Sequence, residues 1–250
     1  MFNERQLRII SLLQSQEKVS VSELTAEFGV SLVTVRQDLK KLEDQGVLKR
    51  THGGAVAVDN GYDTSTRMWN NYEKKQRIVQ RAAGLVSDGE TIIIETGSTC
   101  SLLARELATK RGITIITNSW VLVNYFRSNS RVTLILAPGE YKENQAGVIS
   151  DMTMRFFETF NVDKTFLGTQ GLELERGATV ADFTECNIKR TMLQAGKVKI
   201  LLADHNKLGQ TFLVKQADVD EFDYIVTDNQ SDPTYLQRIR DLGVTVYVAE

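Results

Sequence analysis

Seven short apolar runs recur along the chain from residue 88 onward, and most of them are rich in β-branched residues. They are predicted to be strands at 91–95, 113–117, 132–136, 163–168, 198–204, 224–228 and 244–248. Segments with helical periodicity separate them, among them WVLVNYF and ECNIKRTMLQA. Because apolar strands that alternate with amphipathic helices are buried on both faces, the pattern predicts a mainly parallel α/β sheet.

Polar loops directly follow five of these predicted strands. They are ETGST at 95–99, TNS at 117–119, PGEY at 138–141, GTQG at 168–171 and DHNK at 204–207. Ligands of open α/β sheets bind outside the carboxyl ends of the strands, so we expect these loops to form one ligand site. Each loop alone also fits an ordinary turn with a glycine and a helix cap. Five of them at one sheet edge favour a site.

The first of these loops has the composition of an anion site. Gly97 allows close backbone approach, and Ser98 and Thr99 offer hydroxyls at a helix start, where free N–H groups and the helix dipole favour negative charge. Lys207 could supply a positive charge, and Asp204 could accept a hydrogen bond from a sugar hydroxyl. Their alternatives are a solvated lysine and a turn cap.

The first 57 residues carry a different pattern, that of three short helices. Asn3 is predicted to cap the first helix, Ser22 the second and Ser31 the third. Gly29 ends the second helix, and the third is predicted to end at Gly46. A tight turn between the second and third helices indicates a helix-turn-helix.

The third helix has one apolar stripe and one polar face. The predicted buried stripe consists of Leu32, Val35, Leu39 and Leu42. At about 100° per residue, the opposite face and its flanks hold Val33, Thr34, Arg36, Gln37, Lys40, Lys41 and Asp44. A polar face with short side chains near the helix start is what a recognition helix needs in the major groove.

A basic hairpin is predicted after the third helix. Strands at 47–51 and 55–58 flank a turn at 52–54, while 18–21 reads as an extended link. The residues expected to contact phosphate or the minor groove are Lys49, Arg50, His52 and Gly53. Residues 1–57 hold eight Lys or Arg against seven Asp or Glu, so a small helical domain with a solvated charged face remains an alternative.

At these residues the chain resembles the DeoR family of bacterial transcriptional regulators. The stretch SLVTVRQDLKKLEDQGVLKRTHGGA at 31–55 meets the family pattern S-x-x-T-[IV]-R-x-D-L-x-x-L-E-x-x-G-x-L-x-R-x-H-G-G-A. The resemblance implies that Ser31 and the exposed helix and wing residues bind double-stranded operator DNA. Many members have a second arginine where this chain has Gln37. Glutamine pairs best with adenine and arginine with guanine, so a different operator sequence is expected.

The resemblance continues into the larger domain through ETGST, TNS, APGEY and DHNKLG. It implies a sensor related in fold to ribose-5-phosphate isomerase that binds a phosphorylated sugar or a sugar-like metabolite. The implied effector residues are Glu95, Thr96, Gly97, Ser98, Thr99, Asn118, Ser119, Gly139, Gly171, Glu185, Asp204 and Lys207. Pro138 replaces a commoner glycine and removes a backbone donor, which weakens that loop as a ligand site. Glu185 has an equally good reading as a structural residue of a helix face.

The predicted organisation is a winged helix-turn-helix domain at 1–58, a linker at 59–74 and an α/β sensor domain at 75–250. Residues 59–71 are polar and irregular, and 72–86 reads as a helix. Arg67 and Lys75 match basic positions of the family, although solvated charges explain them equally well.

The expected function is therefore a DNA-binding regulator, a repressor of carbohydrate metabolism controlled by a phosphorylated sugar. We expect a cytoplasmic protein without a metal or cofactor, since its two cysteines are far apart and it has only two histidines. No membrane segment is expected, because the longest uncharged run, 112–126, is too short and too polar to span a bilayer. A homo-oligomer is expected because such a regulator binds a repeated operator. One alternative is a sugar-phosphate isomerase with a DNA-binding appendage, using Glu95, Asp204 and Lys207. Another is a winged helix that contacts only proteins.

Overall fold

A computed structural model describes residues 3–44, 47–57 and 64–250. The chain divides into two compact units, Met1–Tyr72 and Glu73–Glu250. The elements of the first unit are α1 Glu4–Gln16, β1 Lys18–Ser20, α2 Val21–Phe28, α3 Leu32–Asp44, β2 Leu48–Thr51, β3 Gly54–Ala57 and α4 Thr64–Trp69. The predicted helix-turn-helix and wing are confirmed.

The predicted extended link at 18–21 is in part a strand. β1 pairs antiparallel with β3, which places Val19 opposite Ala55, and β3 pairs with β2. The wing is therefore the outer part of a three-stranded sheet that is tied to the end of α1. Predicted strand residue 58 lies outside the described residues.

The cap of α2 is Ser20, so the prediction of Ser22 is wrong. Ser20 Oγ accepts from the Glu23 N–H (3.1 Å), and the Glu23 carboxylate accepts from the Ser20 N–H (2.9 Å). This reciprocal pair satisfies two free N–H donors at once. A cap at Ser22 could not form such a pair, because the residue three positions after Ser22 is Thr25 rather than a glutamate or glutamine. The other predicted ends hold: Asn3 caps α1, and Gly29 ends α2 with a φ of 62°.

Helix α3 buries Val35, Leu39 and Leu42 as predicted, but not Leu32. Leu32 is 51% exposed because it is the first residue of the helix and lies beyond the edge of the core. Asp38 takes a place in the buried stripe instead. The predicted end of the helix at Gln45 and Gly46 lies outside the described residues.

The predicted linker is not irregular throughout. Helix α4 occupies Thr64–Trp69, and the Trp69 ring packs against the core of the first unit. Residues 58–63, which precede it, lie outside the described residues. The sequence around Trp69 is polar, so this apolar contact was not predicted.

The second unit is built on a seven-stranded parallel sheet, as predicted. The strands of the whole second unit, in chain order, are β4 Thr91–Ile94, β5 Ile113–Thr117, β6 Val132–Leu136, β7 Tyr141–Lys142, β8 Gly147–Val148, β9 Val162–Gly168, β10 Gly171–Glu173, β11 Gly177–Val180, β12 Gly196–Leu202, β13 Val214–Ala217, β14 Tyr224–Asp228 and β15 Thr245–Ala249. The central sheet has the order β15-β14-β12-β9-β4-β5-β6. The short antiparallel sheets β10-β11-β13 and β7-β8 were not predicted, because strands of two to four residues carry almost no periodicity.

Helices cover both faces of the central sheet. They are α5 Tyr72–Ala83, α6 Ser98–Leu107, α7 Trp120–Phe126, α8 Asp151–Phe157, α9 Phe183–Ala195 and α10 Pro233–Asp241. Residues of α5, α6 and α7 share one apolar core, and those of α8, α9 and α10 share the other. Within the described ranges, no helix is both long enough and apolar enough to cross a membrane.

Candidate functional site

The outer face of α3 is open to solvent. Val33 is 62% exposed, and Arg36, Gln37, Lys40 and Lys41 are also exposed. Thr34 is half-buried. Its N–H donates to Ser31 Oγ (3.2 Å), so Ser31 caps the helix as predicted. The predicted recognition residues thus lie on one accessible surface of α3, and the opposite side of the helix is buried in the core of the first unit.

The wing residues are exposed as well, but one of them is already paired. The Arg50 N–H donates to Glu43 of α3 (2.9 Å), and its guanidinium lies 3.8 Å from the same carboxylate. The two wing glycines also differ. A Cβ on Gly53 would meet nothing within 4 Å, whereas a Cβ on Gly54 would lie 2.0 Å from the Val19 carbonyl oxygen. A side chain at position 54 would collide with β1, so the pairing of β1 with β3 requires a glycine there. At position 53 the fold has room for a side chain, and the glycine keeps the tip of the wing narrow.

In the second unit, all five predicted loops follow neighbouring strands at one edge of the sheet, and the loop at 138–141 follows β6, next to β5. The loops at 117–119, 95–99, 168–171 and 204–207 follow the adjacent strands β5, β4, β9 and β12. Neighbouring strands are about 4.8 Å apart, so the outer two of these loops lie on the order of 15 Å apart. The parallel sheet therefore brings together residues that are more than 100 positions apart in the chain.

Glu95 is turned into the protein at this edge. One carboxylate oxygen accepts from the Gly168 N–H (2.8 Å), and the other lies 3.2 Å from Lys189 Nζ. Lys189 also pairs with Glu185 (3.0 Å) and donates to the Gly168 carbonyl oxygen (3.0 Å). The predicted effector residues Glu95 and Glu185 are thus held by a lysine that the sequence did not point to.

Lys189 is charged in spite of its burial. Burial alone would lower the pKa of the Lys189 ammonium, but the carboxylates of Glu95 and Glu185 raise it above its ordinary value. The three side chains form one ion cluster, which we call the buried triad.

Two glycines make room for the Glu95 carboxylate. A Cβ on Gly97 would lie 2.0 Å from Glu95 Oε1, and a Cβ on Gly168 would lie 2.8 Å from the same atom. The glycine of the ETGST loop is thus required by an internal carboxylate. This reason differs from the expected one, close approach to a ligand.

The start of α6 has the features expected of an anion site. Gly97 is its N-cap and supplies no side-chain hydrogen bond, and Ser98 is partly exposed. The side chain of Thr99 is buried. Lys75 of α5 is 3% exposed, and its Nζ lies 3.2 Å from Ser98 Oγ. An ammonium beside a helix N-terminus favours a bound anion.

Thr96, Asn118 and Ser119 serve mainly to hold neighbouring segments. Thr96 Oγ1 donates to the Gln145 carbonyl oxygen (2.8 Å), and Ser119 caps α7. Asn118 Nδ2 donates to the Val148 carbonyl oxygen (3.1 Å), while its buried Oδ1 has no hydrogen-bond partner among the described residues. That oxygen is a free acceptor at the sheet edge.

Gly139 and Gly171 are packed against neighbouring segments. Gly139 has a φ of 139°, and a Cβ there would lie 2.3 Å from Ser150 Oγ. A Cβ on Gly171 would lie 2.3 Å from the Gln210 carbonyl oxygen. Both glycines are required by internal contacts, and an effector contact at either stays a prediction.

The loop after β12 holds one capping residue and one accessible cation. Asp204 is buried and accepts from the Asn206 N–H (3.1 Å), so it caps the short 3-10 helix His205–Lys207. Lys207 is half-exposed and forms no salt bridge within the described ranges. His205 Nδ1 lies 3.0 Å from the buried Asp228 carboxylate, a pair that was not predicted. Burial alone would raise the pKa of the Asp228 carboxyl, but hydrogen bonds donated by His205 and Gln230 lower it below its ordinary value.

Both parts of the chain match known families. Residues 5–60 match the DeoR-like helix-turn-helix domain, and residues 70–229 match the DeoR C-terminal sensor domain. The chain belongs to the DeoR family. As a DeoR-family protein it is a DNA-binding transcriptional regulator, which confirms the predicted class.

Relatives match this DeoR-family chain over nearly its whole length. The transcriptional regulator GolR of Listeria innocua serovar 6a is 30% identical over 99% of this chain and 98% of its own. The transcriptional repressor GlcR of Bacillus subtilis is 30% identical over 99% and 96%. The glycerol-3-phosphate regulon repressor of Escherichia coli K12 is 29% identical over 95% of each chain.

Among solved structures, the ribose-5-phosphate isomerase A of Methanocaldococcus jannaschii is 19% identical over 55% of each chain, with a TM-score of 0.41. A TM-score this low does not establish a common fold. The predicted relationship between this DeoR-family sensor domain and that enzyme stays a prediction.

Proposed function

We propose that this DeoR-family regulator is a repressor that binds operator DNA through α3 and the wing, and that a phosphorylated sugar bound at the sheet edge controls it. The observation that carries the DNA-binding half is the exposed polar face of α3. Arg36, Gln37 and Lys40 are solvent-exposed on a helix whose opposite side is buried. Such a helix can enter the major groove without losing its own core contacts.

The phosphate of the effector would bind at the start of α6. The free N–H groups of the first turn and the ammonium of Lys75 supply positive potential there, and Lys207 offers a further, partly exposed cation. Hydroxyl groups of the effector could donate to Asn118 Oδ1. A relative that is named for the glycerol-3-phosphate regulon supports a phosphorylated metabolite.

We propose that the sheet edge binds without catalysing a reaction. Isomerisation of a sugar phosphate needs a general base that can reach a substrate carbon. Glu95 is occupied by the Gly168 N–H and Lys189, and Asp204 is buried as a helix cap. Both carboxylates that could serve as the base therefore have structural partners.

The assembly proposed is a homo-oligomer in the cytoplasm, where operator DNA lies. Two copies of a winged helix read two half-sites, which multiplies the affinity of each.

Operator binding tests the DNA-binding half. Arg36→Ala should lower operator affinity by on the order of tenfold, because one base contact is lost. Arg8→Ala, an exposed arginine on α1, is the matched control and should change affinity much less. The measurement is fluorescence anisotropy with a duplex selected by the wild-type protein from random DNA. Equal losses in the two variants would count against α3 as the recognition helix.

A thermal-shift screen against phosphorylated sugars tests the effector half. A ligand at 100 times its Kd should stabilise the folded chain by about 2.7 kcal/mol, whereas the unphosphorylated sugars should not. Lys207→Ala should weaken the response, and Lys197→Ala, a lysine whose side chain is 70% exposed, should leave it intact. A full response in Lys207→Ala would remove Lys207 from the site.

A further inference from the structure

Helix α3 carries one carboxylate in its buried stripe. Asp38 is 3% exposed and stands among Val35, Leu39 and Leu42. At about 100° per residue, it lies about 160° around the helix from both Arg36 and Lys40. A carboxylate buried on the side of the helix that faces away from the proposed DNA surface destabilises the fold unless it is paired. The partners of Asp38 therefore stabilise the fold of this unit.

Both oxygens of Asp38 are bound by α1. Arg5 Nε donates to Oδ2 (2.5 Å), and Gln6 Nε2 donates to Oδ1 (2.7 Å). Gln6 is itself held at its other end, because Gln6 Oε1 accepts from the Asn3 N–H (3.1 Å) in the capping box of α1. The first turn of α1 and the middle of α3 are therefore joined by a continuous set of directional bonds.

Two kinds of contact set the rotation of α3 about its own axis, the apolar packing of its buried stripe and the hydrogen bonds of Asp38. The contacts of Val35, Leu39 and Leu42 are non-directional, whereas a charge-assisted hydrogen bond weakens steeply with angle. The two bonds to Asp38 are thus directional contacts on the buried side of α3 that depend on its rotation.

We infer that Asp38 is a positioning residue for DNA recognition: its bonds to Arg5 and Gln6 set the rotation of α3 that aims Arg36 and Gln37 at the base edges. Asp38 touches no DNA in this account. The inference rests on the recognition helix proposed above.

The test compares two variants of α3 that lose the same charge. Asp38→Asn breaks the ion pair with Arg5 but keeps an oxygen for Gln6, and Asp44→Asn removes an exposed carboxylate from the same helix. Affinity is measured over a salt series for the duplex that wild-type protein selects from random DNA and for a scrambled duplex. Loss of folded protein lowers both affinities equally, whereas misaimed contacts lower the ratio of the two.

Asp38→Asn is expected to lower that ratio on the order of tenfold, the size of one lost base contact, with the salt dependence unchanged. Asp44→Asn is expected to keep the wild-type ratio. A wild-type ratio in Asp38→Asn would overturn the inference and leave the proposed function standing. If the wild-type protein selects no duplex at all, the proposed function and this inference both fail.

Arg5→Gln decides the matter if Asp38→Asn does not fold. The Arg5 side chain is 28% exposed, and its loss leaves the Gln6 bond to Asp38 in place. Arg5→Gln should lower the ratio, and Arg8→Gln, with the same charge change on α1, should not. An equal ratio in these two variants would overturn the inference.

Discussion

Lys189 joins three parts of the second unit that are distant in sequence. Its ammonium contacts the end of β4 through Glu95, the end of β9 through the Gly168 carbonyl oxygen, and its own helix through Glu185. The sequence pointed to Glu95 and Glu185 but not to Lys189, because a lysine next to Arg190 reads as a solvated face. Its partner Glu95 lies 94 positions earlier, and a local pattern cannot report such a pairing.

Lys189→Met should destabilise the chain by about 3–5 kcal/mol, because Glu95 is left buried without its cation. The matched control is Lys197→Met, which breaks the exposed pair with Asp163 and should cost no more than about 1 kcal/mol. Urea unfolding followed by circular dichroism measures both. Adding Glu95→Gln to Lys189→Met should recover part of the loss; equal losses in the two single variants would contradict a structural role for the buried triad.

The elements show where sequence patterns suffice and where they do not. All seven strands of the parallel sheet were predicted to within two residues, since runs of apolar β-branched residues are long and bounded by polar loops. The three-residue strand β1 was missed, because its pairing with β3 depends on a partner 36 positions away. Likewise, the sheet-edge loops were found from their composition, but the inward turn of Glu95 depends on Lys189 and could not be read from it.

The contact between α3 and the wing holds back one cation from DNA. Glu43→Gln keeps an acceptor for the Arg50 N–H but removes the charge that attracts its guanidinium. Affinity for any duplex should rise a few-fold at low salt and less at high salt, because the freed arginine adds a phosphate contact. The pair is about 40% exposed, so stability should change by less than about 1 kcal/mol.

Asp44→Asn separates the release of Arg50 from a simple change of charge. Both variants remove one negative charge from α3, but only Glu43→Gln frees the wing arginine. A larger gain in Glu43→Gln supports the release of Arg50. Equal gains in the two variants would attribute the effect to net charge alone.

On the scale of the whole molecule, the proposed DNA surface and the proposed effector site belong to different units. The first lies within Met1–Tyr72 and the second within Glu73–Glu250. An effector can change DNA affinity only if it binds the two DNA-binding states with different affinities. The coupling between the sites is therefore a measurable free energy.

Linkage makes a quantitative prediction for this coupling. If the effector weakens operator binding by a given factor, saturating operator DNA must weaken effector binding by the same factor, which is typically 5- to 150-fold. Calorimetric titration of the effector with and without the operator duplex measures it. An effector affinity that is unchanged by DNA, alongside clear release of DNA, would mean that the titrated site is not the one that controls DNA binding.

The Glu95 carboxylate that lies between Gly97 and Gly168 also has a consequence for protein engineering. A library meant to retarget the sensor to another metabolite should leave Glu95, Gly97, Gly168 and Lys189 unchanged, because the last three all lie against the buried Glu95 carboxylate. Variation is better placed at Ser98 and Lys207, whose side chains are partly exposed at the sheet edge. The scaffold and the tunable positions of a biosensor can thus be separated before any ligand is known.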